Sequence, residues 1–260
     1  MYKIEEFKNT IHCADCLDFM KDIPDKSIDM ILCDLPYGTT ACKWDTIIPF
    51  EPLWEQYKRI IKDNGAIVLT ASQPFTSALV MSNPDMFKYE IIWEKNKPSG
   101  IATANKMPMK NHENICVFYK SQPIFNAIKS ETKSISSLNN ALKGYTNQNK
   151  SLSNITGLKG VPVKWSKMIN PRTVLRFNVV GNRDKNRVHP TQKPVALFEY
   201  LIRTYTNEGD TVLDNCAGSG TTGIAALHTK RNAILIEKDE QYFNAAKERF
   251  DRETRQVAMW

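Results

Sequence analysis

The chain has 260 residues, of which 42% are hydrophobic and 24% are charged, and its formal net charge is +7. This length supports a full hydrophobic core without disulfides or a structural metal, in one large domain or one domain with an insertion. The N-terminus is polar and no apolar run approaches the length that spans a bilayer, so we expect a cytoplasmic protein whose six cysteines stay reduced.

Short apolar runs alternate with helix-like segments along the first 120 residues. The runs typical of buried strands are 11–13, 28–33, 66–70, 89–93 and 115–119, and the helix-like segments are 16–23, 50–62 and 74–81. We expect the pair Asn64-Gly65 to break the chain between the second helix and the strand that follows it.

The same alternation resumes at Pro194. The predicted helices there are 194–205, 221–229 and 241–250, and the predicted strands are 211–214 and 233–237. Strands that alternate with helices predict an α/β fold, with a mainly parallel twisted sheet and helices on both of its faces.

Residues 121–188 interrupt this pattern and carry the positive charge of the chain. They contain 12 Lys or Arg and 2 Asp or Glu, whereas the remainder contains 23 basic and 26 acidic residues. A basic block in an otherwise near-neutral protein indicates a surface that binds a polyanion, although a solvated surface loop has the same composition. We therefore predict one α/β domain formed by 1–120 and 189–260, with an inserted, partly irregular basic region at 121–188.

The segment from Thr211 to Gly223, T-V-L-D-N-C-A-G-S-G-T-T-G, predicts a strand, a glycine-rich turn and a helix. Gly218 and Gly220 allow a ligand to approach the backbone closely, and the N-terminus of a helix favours an anionic group. Glu237 ends the next predicted strand, where a carboxylate can accept hydrogen bonds from two ribose hydroxyls. Together these features predict a ligand that contains a nucleoside.

Two other interpretations of this motif remain open. Residues 218–223 match G-x-G-x-x-G, as in an NAD-dependent oxidoreductase, and a tight strand–helix turn without any ligand has the same pattern. A phosphate-binding loop for ATP is excluded, because no Lys follows the glycines. We expect Ser219 and the pair Thr221-Thr222 to cap the helix.

The tetrapeptide Asp34-Leu35-Pro36-Tyr37 directly follows the buried run at 28–33, at the carboxyl end of a predicted parallel strand, where open α/β sheets bind ligands. Pro36 keeps Leu35 extended and can turn the Leu35 carbonyl outward. A carboxylate and a carbonyl can accept both N–H groups of an exocyclic amine and stabilise the positive charge that develops during methyl transfer. An aromatic ring can hold a base that has left its stack. The alternative is an ordinary strand-end turn, because Asp-x-Pro is common in loops.

In combination, the tetrapeptide and the glycine turn resemble the signature of the beta group of DNA N6-adenine and N4-cytosine methyltransferases. In that family the catalytic motif comes first, the target-recognition region second and the cofactor loop last, so the basic block at 121–188 falls where the recognition region is expected. The segment 189–194, H-P-T-Q-K-P, resembles the family's cofactor-binding segment. The family's usual tetrapeptide is Asp-Pro-Pro-Tyr, and Leu35 keeps the carbonyl of the first Pro but makes the turn less rigid.

The resemblance implies a Rossmann-like methyltransferase fold, S-adenosylmethionine as the cofactor and site-specific methylation of double-stranded DNA. It implies transfer to the exocyclic amine of a flipped base, and the Asp that begins the tetrapeptide favours adenine N6. Cytosine N4 and RNA remain alternatives. The implied catalytic residues are Asp34, Leu35, Pro36 and Tyr37. The implied cofactor-binding residues are Asp15, Cys16, Asp34, His189, Lys193, Asp214, Gly218, Ser219, Gly220, Thr221, Thr222 and Glu237.

For the cofactor, the resemblance implies that Glu237 binds the ribose and Asp15 the adenine. His189 and Lys193 close over the methionine carboxylate, and the turn at 218–222 approaches the rest of the methionine. No metal is expected, because the sulfonium is already an activated methyl donor. A homodimer and a separate nuclease partner fit the family, and no membrane partner is expected. The alternatives from other classes are the NAD-dependent oxidoreductase and a DNA-binding protein with an inactive core.

Overall fold

The computed structural model describes residues 3–40, 42, 45–131, 168–181, 184 and 187–257. The chain divides into two compact units. The larger comprises Met1–Asn126 and Thr173–Trp260, and the smaller comprises Ala127–Arg172.

The larger unit alternates strands and helices. Its strands are β1 (Thr10–Cys13), β2 (Ile28–Asp34), β3 (Ile61–Ala71), β4 (Phe87–Ser99) and β5 (Lys110–Phe118), then β8 (Val174–Phe177), β9 (Thr211–Asp214) and β10 (Asn232–Glu237). Its helices are α1 (Cys16–Phe19), α2 (Phe50–Ile60), α3 (Phe75–Ser82), α4 (Val195–Tyr205), α5 (Thr221–His228) and α6 (Glu240–Val257). Among the described residues, no helix is both long enough and apolar enough to cross a membrane.

These eight strands form one sheet in the order β1-β10-β9-β2-β3-β5-β4-β8. Neighbouring strands are parallel except where β5 pairs with β3 and β4, to both of which it is antiparallel. The prediction of a mainly parallel sheet is therefore confirmed. Because of the two antiparallel pairs, β4 ends and β5 begins at the edge of the sheet where β2 and β3 end.

The apolar run of β2 contributes to a core on each face of the sheet. Successive strand side chains point to opposite faces. Ile31 and Cys33 pack with α2 and α3, whereas Met30 and Leu32 pack with α4 and α5. All four side chains are fully buried. The run is continuous rather than alternating because helices cover both faces, as predicted.

Two predicted element boundaries are wrong. The pair Asn64-Gly65 lies inside β3, which begins directly after α2, and the β2–β3 register shifts at this point. A Cβ atom on Gly65 would lie 2.8 Å from the Asp29 carbonyl oxygen, so the absence of a side chain lets the irregular segment pack against β2. The predicted helix at 16–23 is also split, into α1 and a 3-10 turn at Met20–Asp22.

The smaller unit overlaps the basic region predicted at 121–188. Its described residues pair β6 (Ser130–Glu131) with β7 (Met168–Ile169) in a short antiparallel ladder. The segment 132–167, which holds half of the basic residues of the predicted region, lies outside the described residues. Within the larger unit, β8 pairs with β4 although it falls inside the predicted region. The bounds of the insertion and its binding to DNA stay predictions.

Candidate active site

A cleft of about 1400 Å³ opens in the larger unit and takes in the carboxyl ends of the parallel strands. Three strands end in an acidic residue that lines it: β2 in Asp34, β9 in Asp214 and β10 in Glu237. Asp15 lies two residues beyond β1 and lines the same cleft. The strands concerned are neighbours in the sheet, so the fold brings together four acidic residues that the sequence separates by up to 222 positions.

At the end of β2, side chains hold the Asp34 carboxylate. The Tyr37 hydroxyl donates to Asp34 Oδ1 at 2.7 Å, and the Thr70 hydroxyl donates to the same oxygen. Thr70 stands opposite Asp34 in the β2–β3 register, which explains why it reaches this oxygen. Burial, followed by the negative charge of Asp34, raises the pKa of Tyr37 well above its ordinary value, so the phenol remains a donor.

The rest of the tetrapeptide is anchored by packing. The Leu35 side chain is 3% exposed and belongs to the core beneath α2 and α3. The Tyr37 ring stacks on Phe75 with 5.3 Å between ring centroids, so one face of Tyr37 is already covered. Pro36 is partly buried and lines the cleft with its neighbours. Burial of the Leu35 side chain thus constrains the turn at the position where the family's usual tetrapeptide has its first Pro.

Lys193 connects the tetrapeptide to a buried chain of charges. Its Nζ donates to Asp34 Oδ2 at 2.6 Å and lies 3.4 Å from Glu113 Oε2, and Lys95 Nζ donates to Glu113 Oε1 at 2.6 Å. Lys193 is only 6% exposed. Burial opposes its charged form, but Asp34 and Glu113 outweigh burial and raise the pKa of Lys193. Burial likewise opposes the charge of Glu113, and Lys193 and Lys95 nevertheless lower its pKa.

The loop after the tetrapeptide folds around Asp45, which is 7% exposed. Asp45 Oδ1 accepts from the backbone N–H of Gly38 at 2.9 Å, and Oδ2 accepts from those of Thr39 and Thr40 at 2.9 and 2.7 Å. Burial alone would raise the pKa of Asp45, but these hydrogen bonds lower it overall. The bonds fix the direction in which the chain leaves Tyr37.

Sequence reasoning missed Thr70, Glu113, Lys95 and Asp45. None belongs to a recognised motif. The one local signal is a polar residue near the cleft end of a buried strand: Thr70 ends the run A-I-V-L-T, and Glu113 precedes the run N-I-C-V-F. Such residues lie at the edge where ligands bind, but only the strand pairing shows which of them meet.

The glycine turn follows β9, the neighbour of β2 in the sheet, and lines another part of the same cleft. Gly218 and Gly220 have positive φ angles of 51° and 71°, which side-chain-bearing residues rarely adopt. Glu237 Oε2 accepts from the Gly218 N–H at 2.7 Å, and Oε1 accepts from the Asp239 N–H at 2.8 Å. Burial raises the pKa of Glu237 in spite of these bonds. Glu237 therefore orders the turn and also faces the cleft.

The predicted capping of α5 is wrong. Gly220 occupies the N-cap position, and no side chain caps the helix there. Thr222 instead donates to Asp214 Oδ2 at 2.5 Å, while the Cys216 N–H donates to Asp214 Oδ1 at 3.0 Å. The side chain of Asp214 is almost fully buried, and burial raises its pKa to about 6 despite both bonds.

Segment 189–194 packs against the glycine turn and against α6. The hydroxyls of Ser219 and Thr221 lie 3.0 Å apart, and that of Thr221 donates to the Lys193 carbonyl at 3.3 Å. His189, 9% exposed, packs edge-on against Tyr242 with 4.2 Å between ring centroids. Burial lowers the pKa of His189 to about 4, so the imidazole is neutral at neutral pH.

Asp15 and Cys16 complete the predicted cofactor residues. Asp15 Oδ1 caps α1 by accepting from the Leu17 N–H at 2.9 Å, and Oδ2 pairs with Lys238 Nζ at 2.9 Å. The bond from Lys238 is the main reason that the pKa of Asp15 is lowered. Cys16 is buried and lines the cleft, whereas Gly220 and Thr222 are buried but are not among the lining residues.

These residues fit S-adenosylmethionine. The glycine turn leaves room for a ligand against the backbone, and the carboxylates of Glu237 and Asp15 are the acceptors that a nucleoside requires. The cleft exceeds the roughly 300–1,000 Å³ of an ordinary small-molecule pocket, so a second group can enter beside the cofactor. The fold and the cleft define an S-adenosylmethionine-dependent methyltransferase, with an amine-binding tetrapeptide at one end.

Comparisons with known proteins agree with this class. A family profile described as DNA methylase matches residues 28–248. The type II methyltransferase M.HpaI of Haemophilus parainfluenzae is 31% identical over 93% of this chain and 74% of its own length. The DNA adenine methyltransferase YhdJ of Escherichia coli (strain K12) is 31% identical over 95% of this chain and 83% of its own length.

Solved structures resemble the chain over nearly its whole length. The SAM complex of M1.HpyAVI superposes with a TM-score of 0.61 and 25% identity, covering 93% of this chain and 98% of that one. The cytosine-N4-specific PvuII DNA methyltransferase has a TM-score of 0.64 over 96% of this chain and 91% of its own, and at 16% identity it shows the fold alone. The chain therefore belongs to the DNA methylase family and is an S-adenosylmethionine-dependent DNA amino-methyltransferase. This membership decides against the NAD-dependent alternative.

Proposed function

We propose that the chain methylates N6 of adenine at a specific sequence in double-stranded DNA. The observation that carries the proposal is the position of Asp34 at the end of β2, inside the cleft and bonded to Tyr37. An Asp at this place in the tetrapeptide is typical of the adenine enzymes that the motif resembles. The relative from E. coli, named a DNA adenine methyltransferase, supports the same base.

The tetrapeptide would make a poor nucleophile reactive. The lone pair of an exocyclic amine is conjugated into its ring, so the nitrogen attacks only if it becomes more tetrahedral. Asp34 Oδ2 and the Leu35 carbonyl would accept its two N–H groups and stabilise the positive charge as it develops. Tyr37 and Thr70 hold Asp34 Oδ1, so the carboxylate has a fixed direction before a base arrives. The face of Tyr37 that Phe75 does not cover would hold the base.

The other end of the cleft would bind the cofactor, which supplies the methyl group as an activated sulfonium. We expect Glu237 to accept from the ribose hydroxyls and Asp15 to bind the adenine. The backbone at 218–222 would line the methionine part. Because His189 is neutral, it would contact the methionine carboxylate by hydrogen bonding rather than by charge. The Lys193 side chain would act beside the tetrapeptide as well, since its Nζ bonds to Asp34.

DNA would be gripped mainly by the basic region at 121–188, whose 12 basic residues suit phosphate contacts. A homodimer and a cognate nuclease in a restriction-modification pair remain proposals supported only by the family resemblance. Sedimentation of the purified protein, alone and with a DNA duplex, tests the dimer.

The test of the base and its sequence context is direct. The gene is expressed in a bacterial host that lacks adenine and cytosine methyltransferases, and the host DNA is read by long-read sequencing that detects modified bases. We expect N6-methyladenine within one short motif. Methylation at cytosine N4 would replace the adenine assignment, and unmodified DNA beside methylated RNA would overturn DNA as the substrate.

A further inference from the structure

Lys193 occupies both groups that the proposed function reserves for the target base. Its Nζ donates to Asp34 Oδ2 at 2.6 Å and lies over the Tyr37 ring, 5.6 Å from the ring centroid. Asp34 Oδ1 already accepts from two hydroxyls, those of Tyr37 and Thr70. A target amine that binds Asp34 therefore needs the oxygen that the ammonium holds.

The ammonium cannot simply withdraw from Asp34 without another partner. Lys193 is 6% exposed, and an uncompensated buried charge costs several kcal/mol. Glu113 Oε2 lies 3.4 Å from Lys193 Nζ, is buried, and accepts no hydrogen bond among the described residues. A charge-assisted N–H···O bond needs a separation of about 2.7–2.9 Å, so a movement of less than about 1 Å would complete this bond.

The Glu113 carboxylate is itself held in place by a second lysine. Its other oxygen, Oε1, accepts from Lys95 Nζ at 2.6 Å. Lys95 fixes the carboxylate and leaves Oε2 pointing to Lys193. Asp34, Lys193, Glu113 and Lys95 alternate in charge and sum to zero, so moving Lys193 from one carboxylate to the other leaves the buried charge unchanged.

We propose that Glu113 is a positioning residue that takes the Lys193 ammonium from Asp34 when the target base enters the site, and that the ammonium returns when the methylated base leaves. This inference rests on the proposed function. Once the ammonium has moved, Asp34 Oδ2 is free to accept from the amine. Its negative charge then acts on the positive charge that develops on the amine nitrogen, rather than on Lys193.

The first test is Glu113→Gln (E113Q), which keeps the shape of the side chain and removes its charge. Lys193 should then stay on Asp34, and the single-turnover rate of methyl transfer to a duplex carrying the mapped motif should fall at least about tenfold. Cofactor affinity should stay within about twofold by calorimetry, because Glu113 does not contact the glycine turn. The matched control is Glu90→Gln, an exposed carboxylate on neighbouring β4 that bonds to Asn114. It should leave the rate unchanged.

The second test separates competition from a merely structural role. In the double variant E113Q/K193M the competing ammonium is absent, so the duplex should be methylated faster than by E113Q alone. Glu113→Asp keeps the charge and should retain more of the rate than E113Q. Thermal unfolding shows whether each variant is folded. If E113Q does not fold, the methyl-transfer rates of the double variant and of Glu113→Asp are compared with that of the wild type instead.

Three results would overturn the inference: an unchanged rate in folded E113Q, a double variant no faster than E113Q, or Glu113→Asp as slow as E113Q. Should E113Q fail to fold, a double variant or a Glu113→Asp variant that is folded but lacks methyl transfer would overturn it. Failure of the proposed function looks different, because the wild-type protein would then leave the duplex unmethylated.

Discussion

Two carboxylates that line the cleft, Glu237 and Asp34, are held by different means. At the glycine-turn end, Glu237 accepts from the backbone N–H groups of Gly218 and Asp239. Backbone donors are fixed by the fold and cannot rotate away. This end is therefore formed before any ligand arrives.

At the tetrapeptide end, the donors to Asp34 are the side chains of Tyr37, Thr70 and Lys193. Side-chain donors can exchange partners, and Lys193 has a second carboxylate, Glu113, within 3.4 Å. The difference indicates that the part of the cleft around Glu237 is preformed, which suits a cofactor that binds in the same way in every reaction cycle. The part around Asp34 can rearrange around a base that must first leave the DNA stack.

The largest expected effect is at the tetrapeptide end. Asp34→Ala removes the acceptor for the target amine, and loss of one such preorganised group typically costs about 10²–10³ in rate. We expect a loss of this size in single-turnover methyl transfer at saturating cofactor, with the fold and DNA affinity largely unchanged. Asp34→Asn keeps one acceptor oxygen and should fall between Asp34→Ala and the wild type.

The control for Asp34 is Asp29→Asn, on the same strand but at its opposite end, where Asp29 pairs with Lys62 and accepts from the Thr211 N–H. It should retain the rate even if it unfolds more readily. More than about a tenth of the wild-type rate in Asp34→Ala would contradict the role of Asp34 and remove the contrast between the two ends.

A smaller effect is expected at the glycine-turn end. Glu237→Ala removes two charge-assisted hydrogen bonds to the ribose, each worth about 1.5–3 kcal/mol, so cofactor affinity should fall by at least about a hundredfold. DNA affinity should stay unchanged in a binding assay without cofactor. Glu240→Gln, an exposed carboxylate three residues further on, is the matched control. Equal cofactor affinity in Glu237→Ala and Glu240→Gln would exclude Glu237 from the cofactor site.

The same contrast explains how much of the site could be predicted from the sequence. The glycine turn and Glu237 form a motif whose members lie within about 20 residues, and their local hydrogen bonds follow from that spacing. The partners of Asp34 include Thr70 and Lys193, which are 36 and 159 residues away. No local pattern shows which Lys meets which carboxylate, so Glu113 and Lys95 were missed.

The fold shows a similar limit. Apolar runs such as 28–33 predicted the buried strands, because helices on both faces require continuous hydrophobicity. The pair Asn64-Gly65 predicts a break after the helix, but glycine also fits an irregular segment inside a strand. The structure has the second arrangement, within β3. The antiparallel direction of β5 depends on its pairing with β3 and β4 and could not be predicted from its own residues.

Two buried aspartates sharpen the comparison through the pH dependence of stability. Asp45, beside the tetrapeptide, accepts three backbone N–H bonds, and its pKa is lowered. A lowered pKa stabilises the folded state above the unfolded pKa of about 4, and this contribution disappears only as pH falls through the folded value. Asp45→Asn should therefore lower the free energy of unfolding by roughly 2 kcal/mol, a deficit that stays constant between pH 4.5 and 7.5.

The pKa of Asp214, which precedes the glycine turn, is shifted in the opposite direction. Its pKa is raised to about 6, so its contribution to stability is present below about pH 4 and is lost as pH rises through 6. Asp214→Asn keeps an acceptor for the Cys216 N–H without the buried charge. The free energy of unfolding of this variant, relative to that of the wild type, should rise between pH 4.5 and 7.5 by at most about 3 kcal/mol. Urea unfolding of the cofactor-free protein at several pH values measures both variants. A difference that does not change with pH for Asp214→Asn would contradict the raised pKa of Asp214. A difference that rises with pH for Asp45→Asn would contradict the lowered pKa of Asp45. Only the rising difference for Asp45→Asn would mean that the carboxylate beside the tetrapeptide is the one that is costly to keep charged.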